Sequence, residues 1–184
     1  KIFKDTNKWK NNDEIITTPL TFVSSNHAIL YNNLKPIFAD VDEELCLDVK
    51  SIESKITKRT RAIMFVGIGG NIGQYNKVRK LCDKYNLNLI LDAAHMAGTK
   101  VLKTYMDATQ TYTQVGWDAD VTIFSFQSVK NMPTADGGMI CFQNKDYDIL
   151  ARKLSWLGID KDTYSRSDDK GSYKWRYDVP NVGF

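Results

Sequence analysis

The stretch Asp120-Val-Thr-Ile-Phe-Ser-Phe-Gln-Ser-Val-Lys-Asn-Met-Pro-Thr-Ala-Asp-Gly-Gly138 decides how the chain is read. It opens as a strand: Val121, Ile123 and Phe124 favour β structure, and nothing interrupts them before Gln127. Lys130 follows, held between that strand and a Pro/Gly-rich turn, and a second apolar run begins at Met139. Two readings stand for such a lysine. One is a solvated turn residue. The other is an amine kept at the mouth of a sheet so that it can attack a carbonyl.

Working outward, the 184 residues, 42% hydrophobic and 26% charged, suit one globular domain with a full-sized core. A net charge of +3, with Lys and Arg unclustered, argues against nucleic acid or a membrane surface as partner. No apolar run reaches transmembrane length, and the first residues do not read as a signal peptide. The start lacks Met, which suggests that residue 1 is not the native start. Cys46, Cys82 and Cys141 are far apart within apolar patterns and read as reduced core residues of a cytoplasmic protein. His27 and His95 are the only histidines, so no zinc site or other metal is expected.

Glu14 to Pro19 reads as a short strand, Thr21 to Asn33 as a helix, and Lys35 to Asp42 as another strand. Asp48 is placed to cap a helix whose Val49, Ile52 and Ile56 share a face. Thr60–Val66 and Leu87–Asp92 are apolar runs of the kind buried on both faces of a parallel sheet. A helix between them carries Val78, Leu81, Cys82 and Tyr85 at helical spacing. Lys100 to Trp117 reads as a loop or an excursion, Gly138 to Gln143 as a strand, and Asp146 to Leu157 as a helix before a charged, aromatic tail. Alternating strands and helices predict an α/β fold, a three-layer α/β/α arrangement with a mainly parallel mixed sheet. Ligands bind such sheets beyond the strands' carboxyl ends, where Thr17, Thr18, Asp92, Ser125 and Lys130 fall.

Gly67-Ile-Gly-Gly-Asn-Ile-Gly73 follows a strand and opens a helix, as a dinucleotide-binding turn would. Its spacing fails, because the third glycine comes one residue late. Asp92 ends an apolar strand, where a carboxylate needs a partner. That partner is either a structural hydrogen bond or a protonated pyridine nitrogen. His95 reads as an interior histidine or a catalyst, and Ser125 as a strand residue or a phosphate contact. Phe22 is placed to pack in the core or to lie flat on a planar cofactor. Together these candidates suggest pyridoxal phosphate chemistry, which needs a lysine, an acid at the ring nitrogen, a phosphate anchor and a flat side chain.

Four segments also resemble one family: Asp13–Val23, Lys35–Asp42, Leu91–Gly98 and Phe124–Gly138. The chain is similar to the DegT/DnrJ/EryC1/StrS sugar aminotransferases, which have the aspartate aminotransferase-like fold (fold type I). The resemblance implies that Lys130 bonds pyridoxal 5′-phosphate covalently, Asp92 pairs with its ring nitrogen, and His95 lies near its ring hydroxyl. It also implies that Ser125 contacts the phosphate and Phe22 stacks on the ring. The reaction implied moves an amino group from an amino acid, glutamate above all, to a nucleotide-linked keto sugar. The resemblance further implies a homodimer when full length. Residues 1–184 are then a portion of the large cofactor-binding domain, lacking an upstream phosphate-binding turn and a small C-terminal domain. Three rivals remain: a sugar dehydratase of the same family, which has His in place of the lysine; a nicotinamide-dependent oxidoreductase built on Gly67–Gly73; and a non-enzymatic domain that only retains the fold or pairs with another chain.

Overall fold

The computed structural model describes residues 1–104, 109–159 and 179–183. They fall into two compact units, one running from Phe3 to Gln143 and the other from Asn144 to Phe184. The first is built on a six-stranded sheet. Its strands are β1 (Glu14–Thr17), β2 (Lys35–Phe38), β3 (Thr60–Val66), β4 (Asn88–Asp92), β7 (Val121–Ser125) and β8 (Gly138–Phe142). They lie in the order β2-β1-β3-β4-β7-β8. All neighbours are parallel except β7 and β8, which are antiparallel and joined by the turn that carries Lys130. The mostly parallel mixed sheet is the one that the strand and helix alternation predicts.

Consecutive strand residues face opposite sides, and here they feed two separate cores. Ile16, Ile63, Phe65, Leu89 and Leu91 point to one side, where they meet helices α3 (Val49–Ser54) and α4 (Tyr75–Tyr85). Ile15, Ala62 and Met64 point to the other and meet Ile29 of helix α2 (Val23–Leu30), with Ile90 and Trp9 packed alongside. This double burial explains why β3 reads as a continuous apolar run. Trp9 stacks on Phe3 of a short helix, α1 (Ile2–Thr6). The helices of the main sheet thus cover both of its faces.

Local chemistry sets the helix ends. Asp48 caps α3 by accepting from Ser51 N–H at 2.7 Å, as expected. Helix α4 ends at Asn86, in the left-handed region at φ 52°. Its buried face holds Tyr75, Val78, Leu81 and Cys82. Tyr85 does not share it; its hydroxyl turns outward to donate to Glu53 at 2.8 Å. The buried Tyr75 hydroxyl donates to Asp118 at 2.6 Å. Burial pushes its pKa up, and the Asp118 carboxylate adds to the rise.

Several expectations are corrected. Lys100–Trp117 is not a plain loop: β5 (Lys100–Thr104) and β6 (Gln110–Gln114) form an antiparallel pair. The strands are polar because they lie outside the main sheet; among the described residues Val101 of β5 and Val115, just after β6, reach its core. The Thr-Tyr-Thr alternation of Thr111–Thr113 was the available strand signal. The Lys103 ammonium sits 3.3 Å over the Trp117 ring, tying β5 to the residues after β6. Cys141 is exposed, unlike the buried Cys46 and Cys82. The strand expected over Lys35–Asp42 stops at Phe38, and Asp42 instead caps a turn by accepting from Glu44 and Cys46 N–H.

In the second unit, α5 (Lys145–Leu154) is capped by Asn144, whose side chain accepts from Asp146 N–H at 2.8 Å. It ends before the expected Leu157, which takes a left-handed φ of 59°. The tail from 160 to 178 lies outside the described residues. No helix among the described residues is long and apolar enough to cross a membrane.

Candidate active site

A cavity of about 650 Å³ opens on the α2 side of the sheet, at the carboxyl ends of β3, β4 and β7. That volume lies within the ~300–1,000 Å³ of small-molecule sites. Period two explains its floor. Met64 and Val66 of β3, Ile90 and Asp92 of β4, and Ile123 and Ser125 of β7 all face it. Ladder pairing holds Val66 opposite Asp92 and Asp92 opposite Ile123. Phe22, His95 and Lys130 complete the lining, so every residue singled out for cofactor binding borders this one space. Thr17 and Thr18 do not. They are buried, with Thr17 Oγ1 on Asn26 Oδ1 at 3.1 Å and Thr18 accepting from Leu20 N–H and Asn26 Nδ2. The strand-end position that made them candidates serves to anchor the start of α2.

Asp92 is fixed at both carboxylate oxygens. Ser25 Oγ donates to Oδ2 at 2.6 Å, and Ala94 N–H donates to Oδ1 at 3.2 Å. Ser25 escaped the sequence reading. A serine within a helical segment carries no distinguishing pattern, and its contact spans 67 residues of chain. Phe22 is the residue before the first turn of α2, with extended dihedrals of φ −66° and ψ 141°. Its ring is 75% exposed, so it is not the core aromatic of the alternative reading.

Lys130 lies in the turn between β7 and β8. The turn is closed by Phe126 N–H on Gly137 O, Thr134 N–H on Phe126 O and Lys130 N–H on Gln127 O. Two further contacts pin it to the loop after Asp92. Asn131 Nδ2 donates to Ala97 O, and Lys130 Nζ lies 3.0 Å from His95 Nε2. Gly137 takes φ 128°, a conformation that favours glycine. Gly138 sits so close to β7 that a Cβ would stand 2.8 Å from Phe124 O. Ser125 Oγ accepts from Gln127 N–H at 3.4 Å, inside the same turn.

His95 Nδ1 accepts from Gly69 N–H at 3.1 Å. That occupies Nδ1 and puts a neutral ring's proton on Nε2, the nitrogen facing Lys130. Gly69 belongs to a short 3-10 turn, Ile68–Gly70, and has φ 61°. The glycine-rich segment discounted as a dinucleotide motif therefore orients a site histidine. The residues present fit pyridoxal phosphate: a primary amine, a carboxylate held at both oxygens, a hydroxyl and an uncovered aromatic ring border one cavity.

The chain matches known proteins in sequence and in fold. Residues 5–178 match the DegT/DnrJ/EryC1/StrS aminotransferase family. The chain is 34% identical over 175 residues to the spore coat polysaccharide biosynthesis protein SpsC of Bacillus subtilis, covering 94% of this chain and 42% of that one. Among solved structures it resembles Helicobacter pylori PseC, an aminotransferase involved in the biosynthesis of pseudoaminic acid. There the TM-score is 0.80 with 25% identity, covering 100% of this chain and 44% of that chain. It also resembles Bacillus subtilis NtdA with bound cofactor PMP, at TM-score 0.76 and 25% identity, covering 100% and 37%. The chain belongs to the DegT/DnrJ/EryC1/StrS aminotransferase family, with the fold type I architecture of pyridoxal phosphate enzymes. It spans less than half the length of these relatives.

Proposed function

We propose that the protein carrying this chain is a pyridoxal phosphate-dependent aminotransferase. It moves an amino group from an amino acid, with glutamate the expected donor, to a keto sugar linked to a nucleotide. It would act as a cytoplasmic homodimer in the biosynthesis of amino sugars for surface polysaccharide or related glycoconjugates. The observation that carries this reading is that Lys130 and Asp92 border one cavity at the carboxyl end of the sheet. Membership of the family and the similarity to SpsC, a spore coat polysaccharide biosynthesis protein, support it.

When bound, pyridoxal phosphate supplies a carbonyl for amine capture and a ring that withdraws electrons. Lys130 Nζ is the group that would hold the cofactor's carbonyl carbon, and its amine would serve as the base for the proton on the donor's Cα. Asp92 would pair with the ring nitrogen and favour its protonated form. Ser125 Oγ would contact the phosphate, and the Phe22 ring would lie on the cofactor face. His95 Nε2 bears on Lys130 Nζ, with its place near the ring hydroxyl part of the same proposal. Lys130 disfavours the dehydratase reading, which needs His there. The nicotinamide reading is disfavoured by the Gly67–Gly73 turn, whose Gly69 N–H is already given to His95.

Reduction tests the reading directly. The natural-length protein, loaded with pyridoxal 5′-phosphate and treated with borohydride, is expected to carry the reduced cofactor on the Lys130 peptide by mass spectrometry. Lys130→Ala should abolish both the label and amino transfer. A Lys130→Ala protein that kept full turnover would overturn the proposal.

A further inference from the structure

We propose that Ser25 is a positioning residue for Asp92, the last link of a directed hydroxyl chain that runs from Thr21 through Ser25 to the carboxylate. The inference rests on the pyridoxal phosphate reading above and deepens it. Its basis is proton counting. Ser25 Oγ has one proton, and the 2.6 Å contact with Asp92 Oδ2 uses it, because a carboxylate has none to give back. Thr21 Oγ1 lies 2.9 Å from Ser25 Oγ. With Ser25's proton spent, Thr21 is the donor of that pair. Two hydroxyls are therefore polarised in one direction, each strengthening the next.

The chain has no part in starting its helix. Helix α2 begins without a side-chain cap, and Ser25 Oγ bonds only Thr21 and Asp92 among the contacts described. Ser25 is 7% exposed, so the contact to Asp92 is shielded from water on the hydroxyl side. Thr21, Phe22, Ser25 and Asp92 border the same cavity. The opening turn of α2 thus offers an aromatic face and a carboxylate anchor to one ligand. With Ala94 N–H on the other oxygen, the carboxylate plane is fixed, and each oxygen keeps lone-pair capacity for a ligand N–H.

The test titrates the natural-length protein with pyridoxal 5′-phosphate and follows the visible band of the bound cofactor from pH 6 to pH 10. Ser25→Ala is expected to weaken cofactor binding about tenfold, the effect of losing one hydrogen bond to a charged group. It should also move the pH midpoint of the band and lower kcat while leaving KM for the sugar substrate unchanged. Ser25→Thr keeps the donor and should restore affinity and midpoint. Thr21→Val shortens the chain without touching Asp92 and should move the midpoint the same way by less.

A Ser25→Ala protein with wild-type melting, affinity and midpoint would refute the proposal. So would a Ser25→Ala loss that Ser25→Thr fails to restore, or a Thr21→Val midpoint that does not move. If the wild-type protein shows no cofactor band that borohydride fixes to Lys130, the aminotransferase reading falls first and takes this inference with it.

Discussion

At Asp92 a carboxylate ends a strand whose preceding residues are apolar, and it is held by one hydroxyl and one backbone amide. Its charge, rather than its shape, is what the proposed chemistry needs. Asp92→Asn keeps the size and, with its carbonyl at the Oδ1 position, still accepts from Ala94 N–H; it turns an amide N–H toward Ser25, whose hydroxyl can rotate to accept it, and it loses the negative charge proposed to face the ring nitrogen. It is expected to slow the half-reaction with the amino-acid donor about a hundredfold or more, by single-turnover absorbance, with unchanged melting. Asp92 and Ser125 were legible as cavity-lining candidates because each is a polar residue at an apolar strand's end, and Lys130 because it follows in the turn after such a strand. Ser25 was not, because what singles it out is a contact across the fold. Thr17 and Thr18 misled for the converse reason: the right address in the sheet, with side chains already spent on Asn26 and Leu20.

Among the elements, the turn between β7 and β8 depends on close approach. Ser125 pairs with Gly138 across the antiparallel ladder, and a Cβ at 138 would meet Phe124 O at 2.8 Å. The obstacle is backbone, so the strands must part to admit even a methyl group. Gly138→Ala is expected to cost about 1–3 kcal/mol in urea unfolding and to weaken cofactor affinity, because Lys130 hangs from the displaced turn. A variant with wild-type stability would show that the strand pair yields freely. Strands β3 and β4 were readable from their apolar runs, and α3 from the Asp48 cap. The β5–β6 pair was not, since its Thr- and Tyr-rich residues lie outside the main sheet and follow no apolar period. Cys141 was misread because β8 borders the sheet and its side chains are largely exposed.

For the whole molecule, the end of the sheet opposite the cavity carries its own electrostatic tie. Asp13, just before β1, is buried, which alone would raise its pKa. Arg61 Nε at 2.8 Å and Lys10 N–H at 2.9 Å instead hold the carboxyl below its ordinary value. A depressed folded pKa stabilises at pH values above the unfolded value of about 3.9, and that stability is lost as pH falls through and below it. Asp13→Asn is therefore expected to lower stability at pH 7 by about 1–2 kcal/mol, the Arg61 side chain being partly exposed. The variant should also lose less stability than wild type between pH 5 and pH 3, as urea titrations would read; an unchanged acid slope would contradict the assignment. Much of the three-layer plan could be derived from alternation, since β1, β2 and β3 are each followed by a helix, whereas β4 leads into the β5–β6 pair. The alternation of strand residues also bears on how such a protein can diversify. Leu89 and Leu91 serve one side of the sheet, while Ile90 and Asp92 serve the other. Adjacent codons thus answer to separate selective pressures, and the cavity floor can change without disturbing the layer that α3 and α4 build beneath it.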